Sequence, residues 1–276
     1  GYASYPGVNE AARRKIPTAV HESNAVPGLT TKALSKVVDR VMVGFEESRS
    51  HYDHPEKVVV TGTPVRGDFF RYTRTEAREK LGLTDELPLL VSFWGSLGAE
   101  RMNEMMGDFL ALECAAGAPF HHIHGAGRDY ETMQANLAGR SEVRSLRTAD
   151  PRALGRIRVQ EYIDDMPLVM AAADLVLCRA GASTVSELSA IAKPAILVPS
   201  PNVTNNHQEK NARVLERHGA AVVLLEPECD GRSLYRAASG LLEDRDRLTA
   251  MSRALSALSV TDAAEEIYQT LIRLVQ

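Results

Sequence analysis

The stretch LVLCRAGASTVSELSAI, residues 175–191, places polar groups directly after an apolar run. The run ends in Arg179 and Gly181, hydroxyl side chains follow, and Glu187 comes about one turn later. A helix that begins there directs its free N–H groups and the positive end of its dipole at the strand end, which suits a phosphate. Glu187 can then accept hydrogen bonds from the two hydroxyls of a ribose. The alternative is a capping box, in which Ser183 caps the helix and serves its stability alone.

A second loop of this kind lies in SFWGSLGAERMNE, after a predicted strand at residues 88–94. Gly95, Ser96 and Gly98 form a short glycine loop that opens a helix, which again suits phosphate oxygens. The loop lacks the GxGxxG spacing of dinucleotide-binding sites. Taken alone, the loop is therefore better explained as a tight turn between strand and helix.

Polar side chains also follow three other predicted strands. HESNAVPG brings an imidazole, a carboxylate and an amide together, VTGTPVRG ends in an arginine, and NNHQEKNA opens a polar helix. Gln208 and Asn211 share one face of that helix at a spacing of three residues, and amides suit sugar hydroxyls. Helix caps and solvated surface arginines are the structural alternatives. The candidate residues of these stretches are His21, Glu22, Asn24, Arg66, Gln208 and Asn211.

Two clusters contain residue types that bind metals, but their side chains are not expected to converge on one metal ion. Asp164 and Asp165 are adjacent, so they point in different directions, and they precede a helix that one of them can cap. His121, His122 and His124 lie inside a predicted strand, where we expect His122 to face away from the other two. We predict no metal site and no cofactor.

Composition narrows the class of protein. The 276 residues are 44% hydrophobic with a net charge of -4, as in an ordinary globular protein. No basic block with interleaved aromatic residues occurs, so nucleic acid is not an expected partner. The three cysteines, Cys114, Cys178 and Cys229, lack metal-ligand spacing, and their odd count favours reduced thiols.

Short apolar runs alternate with helix-like segments along the whole chain. Such strands, covered on both faces and separated by helices, are typical of parallel βαβ units in an α/β fold. Segments 99–116, 208–218 and 263–275 have apolar residues at helical spacing. The predicted strands are residues 17–21, 40–45, 57–61, 88–94, 120–124, 157–162, 175–179, 195–199 and 221–226.

A domain boundary is predicted between Arg66 and Leu87, where the sequence is charged and poor in strand signal. Six strand candidates follow it, enough for a doubly wound domain, and three precede it. We expect residues 1–66 to belong to one domain, with 258–276 packing back on it, and 67–257 to form the second. The sequence has no initiator Met, and we expect the first domain to be truncated at its N-terminus.

These motifs together resemble one family over nearly the whole chain. IPTAVHESNAVPGLT, VVVTGTPVR, GSLGAERMNE, EYIDDMPLVMAAADLVLCRAGASTVSEL and PAILVPSPNVTNNHQEKNA stand in order. They resemble the MurG family of bacterial glycosyltransferases. The resemblance implies a glycosyltransferase B fold, in which two Rossmann-like parallel sheets face a cleft. It also implies transfer of N-acetylglucosamine (GlcNAc) from UDP-GlcNAc to lipid I, undecaprenyl-pyrophosphoryl-MurNAc-pentapeptide, to give lipid II in peptidoglycan synthesis.

The resemblance also implies roles for single residues. Ser96 is expected at the diphosphate, Glu187 at the ribose, Ile163 at the uracil through its backbone, and Gln208 at the sugar hydroxyls. Asn24 and Arg66 are expected to approach the donor from the first domain. Glu22, Asn103, Arg179 and Asn211 match further polar positions of the cleft. The stretch expected to hold the UDP moiety is Ala182, Ser183, Thr184, Val185, Ser186 and Glu187.

The sequence departs from the family pattern in four places. Trp94 to Gly98 replaces Gly-Gly-Ser-Gln-Gly, Ser23 stands where other members carry Gln, and Thr31 stands where some carry Asn. The family's Gly-Gly-Thr-Gly-Gly-His stretch, which carries a histidine near the acceptor, does not occur here. His21 is the nearest candidate base in this chain. We therefore expect donor binding with weak or no turnover.

Two alternatives remain open. One is a UDP-sugar transferase or epimerase with another acceptor, and the other is a UDP-sugar-binding remnant without catalysis. The resemblance implies a peripheral location on the cytoplasmic face of the bacterial membrane. Arg13, Arg14 and Lys15 are a candidate contact for anionic lipid.

Overall fold

The computed structural model describes residues 2–95 and 99–276. Within them, nine strands form two sheets, and each strand overlaps one of the nine predicted segments; β1 and β5 run one residue beyond theirs. The strands are β1 (Ala19–Glu22), β2 (Arg40–Val43), β3 (Val58–Val60), β4 (Leu89–Phe93), β5 (His121–Gly125), β6 (Ile157–Gln160), β7 (Leu175–Cys178), β8 (Ala195–Leu197) and β9 (Ala221–Val223).

Among the described residues, helices cover both faces of the larger sheet, which contains β4 to β9. The predicted helices at 99–116, 208–218 and 263–275 are confirmed within one residue at each end. The helices are α1 (Tyr5–Arg13), α2 (Leu29–Leu34), α3 (Arg74–Lys80), α4 (Glu100–Ala115), α5 (Tyr130–Gly139), α6 (Ser141–Ala149), α7 (Pro151–Leu154), α8 (Met166–Ala172), α9 (Ala182–Ala190), α10 (His207–Arg217), α11 (Gly231–Glu243), α12 (Arg245–Leu258) and α13 (Ala263–Val275).

The first sheet has the order β1-β2-β3, with both pairs parallel. Its core is small, with Tyr52 beside aliphatic side chains, and α2 packs on β1. Because the strands are parallel, β1 and β3 deliver their carboxyl ends, and the loops that follow them, to the same edge. The core residues are Leu34, Val38, Val41, Val43, Tyr52 and Val58.

The second sheet has the order β6-β5-β4-β7-β8-β9, and all of its pairs are parallel. In chain order this is 3-2-1-4-5-6, the arrangement of a Rossmann fold. Separate apolar cores lie on its two faces, one containing Phe109 and the other Val185. The central strands β4, β7 and β8 are buried almost throughout, which is why their sequences read as continuous rather than alternating apolar runs.

The stretch after Arg66 is attached to the second sheet, because its buried Ala77 and Leu83 belong to the same core as Val185. Helix α3 begins with a capping box between Thr73 and Glu76. The buried Arg78 donates hydrogen bonds to the carbonyls of Asp85 and Leu87.

The C-terminal segment meets the first sheet instead. A Cβ atom on Gly62 would lie 2.7 Å from Cβ of Val260 and 3.2 Å from that of Ala263, so the segment packs directly on this glycine. This contact supports the predicted assignment of residues 258–276 to the first domain, which stays a prediction.

One sequence expectation about the second sheet was wrong. Residues two apart in a strand share a face, so His122 and His124 point to the same side rather than to opposite sides. Ser92 Oγ lies 2.8 Å from His122 Nε2 and 2.7 Å from His124 Nδ1. His122 Nδ1 is 2.7 Å from the carboxylate of Glu113, which is fully buried. The histidines therefore belong to a buried hydrogen-bonded network.

Acid should destabilise the fold through His124. Burial, and to a lesser degree the neighbouring His122, lowers the pKa of His124 to about 3, whereas an unperturbed histidine titrates near ~6.5. Between these values the unfolded chain binds a proton that the folded chain does not. The free energy of unfolding therefore falls with falling pH, by up to about 1.4 kcal/mol per pH unit.

Thermal unfolding of the wild type and of His124→Gln, from about pH 7 to about pH 4.5, measures this contribution. We expect Tm to fall less steeply with acid in the variant. The same pH dependence in both proteins would contradict the assignment to His124.

Candidate functional site

The candidate site lies where the strand order of the second sheet reverses. β4 and β7 are neighbours, and the connections that follow them run to opposite sides of the sheet. Their carboxyl ends therefore border a crevice, which is where open parallel sheets bind ligands. Helix α4 begins after β4, and helix α9 begins at Ala182, four residues after the end of β7.

The amino terminus of α9 is open. Gly181 is its N-cap residue, with φ -62° and ψ 145°, and no side chain of the described residues caps the helix. Ser183 therefore lies inside α9 and does not cap it. The alternative that residues 183–187 form a capping box is excluded. The N–H groups of the first turn, which have no partner within the helix, face the crevice.

The residues of α9 differ in which groups they leave free to contact a ligand. Val185 is fully buried in the core of the second sheet and so contributes only its backbone. Ser186 Oγ donates to the carbonyl of Ala182 at 2.9 Å. Ser183 is exposed and Thr184 is half-buried. The predicted stretch thus combines open N–H groups and hydroxyls with one side chain that holds the helix on the sheet.

The glycine loop after β4 is described only in part. Gly95 has φ +94°, a left-handed conformation that favours glycine. Ser96, predicted at the diphosphate, lies outside the described residues. Gly95 therefore lets the chain turn sharply at the end of β4, beside the terminus of α9.

Glu187 and Arg66 come together across the cleft. Burial raises the pKa of Glu187, and the positive charge of Arg66 partly opposes that rise. Arg66 is exposed, 3.5 Å from the carboxylate of Asp68 and with its guanidinium 5.5 Å from the centre of the Phe69 ring. The half-buried carboxylate of Glu187 is thus close enough to feel the positive charge of Arg66 and the negative charge of Asp68. Their role in holding a shared ligand stays a prediction.

Ile163 lies at the other end of the crevice, after β6. Its Cγ1 would be 3.3 Å from a Cβ on Gly125, a tight contact, so Ile163 packs directly on the glycine at the end of β5. The backbone of Ile163 is thereby held beside the carboxyl ends of β5 and β6, where a flat base can lie.

Glu22 organises the loop after β1 rather than facing a ligand. It accepts hydrogen bonds from Asn24, through both backbone and side chain, and from Gly28 and Thr31. Burial would raise the pKa of this carboxyl, but these hydrogen bonds outweigh it and the pKa is lowered. The carboxylate therefore fixes the shape of residues 23–31.

One ring nitrogen of His21 is already hydrogen-bonded within the protein. Nε2 lies 2.8 Å from the carbonyl of Gly62 and must carry the proton to donate to it. Nδ1, 3.5 Å from Ser23 Oγ, then carries the lone pair. If His21 acts as a base, it acts through Nδ1.

Asn211 joins the two halves of the molecule. Its Oδ1 accepts from the N–H of Ala25 at 2.8 Å, and its Nδ2 donates to Asn24 Oδ1 at 3.1 Å and to the carbonyl of Ala180 at 3.2 Å. The side chain is fully buried. Asn211 is therefore occupied with protein partners, whereas the neighbouring Gln208 is not. Gln208 Oε1 accepts from Ser200 N, and its Nε2 has no partner among residues 2–95 and 99–276.

Comparison with known proteins identifies the family. The glycosyltransferase family 28 C-terminal domain matches residues 89–267, and the N-terminal domain of that family matches residues 1–43. The chain is 43% identical over 98% of its length to an Acetivibrio thermocellus protein named UDP-N-acetylglucosamine--N-acetylmuramyl-(pentapeptide) pyrophosphoryl-undecaprenol N-acetylglucosamine transferase, and covers 70% of it. The chain belongs to the MurG family.

Solved structures agree with this assignment. MurG of Acinetobacter baumannii superimposes with a TM-score of 0.77 at 27% identity, over 99% of this chain and 72% of that one. A UDP-GlcNAc 2-epimerase from Neisseria meningitidis, at a TM-score of 0.65 and 12% identity over 99% and 74% of the two chains, shares the fold alone. The predicted glycosyltransferase B fold is confirmed, and the chain is a glycosyltransferase.

Two polar residues that were predicted to lie in the cleft, Asn103 and Arg179, make contacts within the protein. Asn103 donates to the carbonyl of Ala126 and to the carboxylate of Asp129, both at 2.8 Å. Arg179 pairs with Glu226 at 2.6 Å. Sequence reasoning missed Glu226, because it follows β9 in a stretch without a motif, and only the fold brings it to Arg179.

Three remaining observations concern metal sites, membrane-spanning helices and the cysteines. No group of three or more His, Cys, Asp or Glu side chains in the described part of the chain is placed to hold a metal ion. Likewise, none of the helices described is both long and apolar enough to cross a bilayer. All three cysteines, each within the described residues, are buried and free.

Asn211→Ala should loosen the contact between the two halves. It leaves the N–H of Ala25 and the carbonyl of Ala180 without their partner, which should lower the free energy of unfolding by about 3 kcal/mol. Urea unfolding of this variant beside Asn202→Ala, which removes an exposed amide, measures the difference. We expect the control to stay within about 0.5 kcal/mol of the wild type; similar losses in both would show that the contact contributes little.

Proposed function

We propose that this chain transfers N-acetylglucosamine from UDP-GlcNAc to the C4 hydroxyl of the muramyl sugar of lipid I, forming lipid II in peptidoglycan synthesis. The observation that carries the proposal is the open terminus of α9 at the reversal of strand order, with Glu187 facing Arg66 across the cleft. The name of the Acetivibrio thermocellus relative, which states the same donor and acceptor, supports it.

The diphosphate of the donor binds at α9. The uncapped N–H groups of Ala182, Ser183 and Thr184 point along the helix axis, and the helix dipole adds a partial positive charge there. Arg66, exposed on the first domain, supplies a full positive charge from the other side. Ser96 is assigned to the same group from the family resemblance.

The nucleoside extends from this point toward β6. Glu187 lies in the second turn of α9, where its carboxylate can accept from both ribose hydroxyls. In the free protein, burial raises the pKa of Glu187. Two hydroxyl donors would stabilise the charged form, so ribose binding and ionisation of Glu187 favour each other. The uracil then lies against the backbone of Ile163.

The sugar of the donor lies toward α10 and the first domain. Gln208 keeps Nε2 available because its Oε1 is held by the N–H of Ser200. Asn24 lies on the opposite side, in the loop of residues 23–31, and is hydrogen-bonded to both Glu22 and Asn211. These two residues are the proposed contacts for the sugar hydroxyls.

The reaction is an inverting single displacement. The acceptor oxygen forms a bond to C1 of GlcNAc, the bond from C1 to the β-phosphate oxygen breaks, and UDP leaves with the electron pair. Negative charge therefore develops on the diphosphate, where the N–H groups of α9 stabilise it. A general base removes the hydroxyl proton, and Nδ1 of His21 is the candidate in this chain. The expected weak turnover of this chain stays a prediction.

The alternatives keep specific support. The first alternative is a different reaction on the same donor, as in the UDP-GlcNAc 2-epimerase that shares this fold. The second is donor binding without catalysis, which would use the same crevice. We also propose a peripheral position on the cytoplasmic membrane face. Exposed Ile16 directly follows the Arg13–Lys15 cluster, although Glu10 pairs with both Arg13 and Arg14.

Replacing Glu187 should remove recognition of the ribose. By calorimetry we expect the wild type to bind UDP-GlcNAc in the micromolar range, about 8 kcal/mol, and not to bind ADP-glucose. Wild type should prefer UDP over 2′,3′-dideoxy-UDP by about tenfold or more, and Glu187→Ala should lose that preference, because its hydrogen-bond acceptor is gone. Glu131→Ala, an exposed glutamate on α5, is the control. A preference that survives in Glu187→Ala would refute the ribose assignment.

Replacing Gln208 should affect the sugar and spare the nucleotide. Gln208→Glu keeps the acceptor for Ser200 N but loses the Nε2 donor. We expect about tenfold weaker binding of UDP-GlcNAc with unchanged binding of UDP. Equal weakening of both ligands, or of neither, would remove Gln208 from the sugar site.

A further inference from the structure

A buried carboxylate holds two arginines at the crevice. The side chain of Glu226 is 7% exposed, and its Oε2 lies 2.6 Å from Nη1 of Arg179, as an ion pair without the alignment of a hydrogen bond. Its Oε1 is 3.9 Å from Nε of Arg101, and Arg101 Nη2 donates to the carbonyl of Glu226 at 3.5 Å. One negative and two positive charges leave this group with a net positive charge.

The two guanidiniums come from opposite sides of the reversal of strand order. Arg179 follows β7 directly and precedes Gly181, the N-cap residue of α9. Arg101 is the second residue of α4, the helix that follows β4. Because β4 and β7 are adjacent, the pair borders the crevice from both sides, next to the open terminus of α9.

The two arginines are held with different strength. The side chain of Arg179 is 13% exposed and also donates to the carbonyl of Val198 at 3.1 Å. That of Arg101 is 57% exposed, and its ion pair is long. Exposed ion pairs contribute little to stability, so the guanidinium of Arg101 can turn to another anion at small cost, whereas Arg179 stays in place.

We propose that Arg101 binds the diphosphate of the nucleoside diphosphate donor, and that Glu226 is the positioning residue that holds Arg101 and Arg179 at the crevice. This rests on the proposed function and assigns two residues that no motif identified. Without the carboxylate the two guanidiniums would repel each other. With it, Arg101 stays near the crevice until the diphosphate, a stronger and less buried partner, accepts its hydrogen bonds.

The test compares UDP with UMP, which lacks the β-phosphate, by calorimetric titration of the full chain. In Arg101→Ala we expect the Kd of UDP to rise about tenfold, as for a lost hydrogen bond to a charged group, and the Kd of UMP to change less than about twofold. Unchanged UMP binding also shows that the variant is folded.

Arg101→Lys should recover part of the UDP affinity, since it keeps the positive charge but not the several N–H donors of the guanidinium. Glu226→Gln should weaken UDP more than UMP while Arg101 is present.

The matched control is Arg74→Ala. Arg74 pairs with Asp174 at the opposite edge of the same sheet, so its loss changes the net charge equally without touching the crevice. We expect unchanged binding of both nucleotides. Equal UDP affinity in Arg101→Ala and Arg74→Ala, or equal weakening of UDP and UMP, would overturn the inference and leave the proposed function standing. Failure of the wild type to bind UDP would overturn the proposed function itself.

Discussion

The reversal of strand order between β4 and β7 is the constraint on which the rest of the molecule depends. Parallel strands deliver all their carboxyl ends to one edge, and the reversal sends the next helices to opposite faces. The crevice therefore exists without any side chain to hold it open. The glycine at residue 95, with its positive φ, and the glycine N-cap of α9 both serve this geometry by letting the backbone turn at the crevice.

The same geometry works against local stability. A serine or aspartate at the N-cap of α9 would contribute only roughly a few tenths of a kcal/mol more than Gly181, which stands there. Burial of Glu187 also disfavours its charged form. By contrast, α11 and α3, away from the crevice, have complete capping boxes at Asp230 and Thr73. Several other helices also lack a side-chain cap, but α9 is the one whose uncapped N–H groups have a proposed ligand.

Residue types and order along the chain were sufficient to predict the strands, because buried parallel strands are apolar throughout and helices separate them. They were also sufficient to predict which strand ends bear polar groups. They could not separate side chains that face the crevice from those that hold the protein together. Asn211 and Gln208 share a helix face, yet burial decides that the first bonds to Asn24, Ala25 and Ala180. Contacts such as that of Glu226 with Arg179 join distant segments, and local patterns carry no signal for them.

The Asn211 contact constrains how the two sheets can move. It ties the loop of residues 24–25 in the first domain to Ala180, one residue before the N-cap of α9. Rotation that keeps these hydrogen bonds must pivot about this point, and movement that breaks them leaves buried polar groups unpaired, at roughly 1–3 kcal/mol each. Arg66 and Glu187 lie on opposite sides of the cleft and are not hydrogen-bonded to each other. Movement of the two sheets about this point would change the distance between Arg66 and α9 while Asn211 keeps Ala180 joined to the loop of residues 24–25. Such movement would link binding of the proposed donor to the placement of that loop.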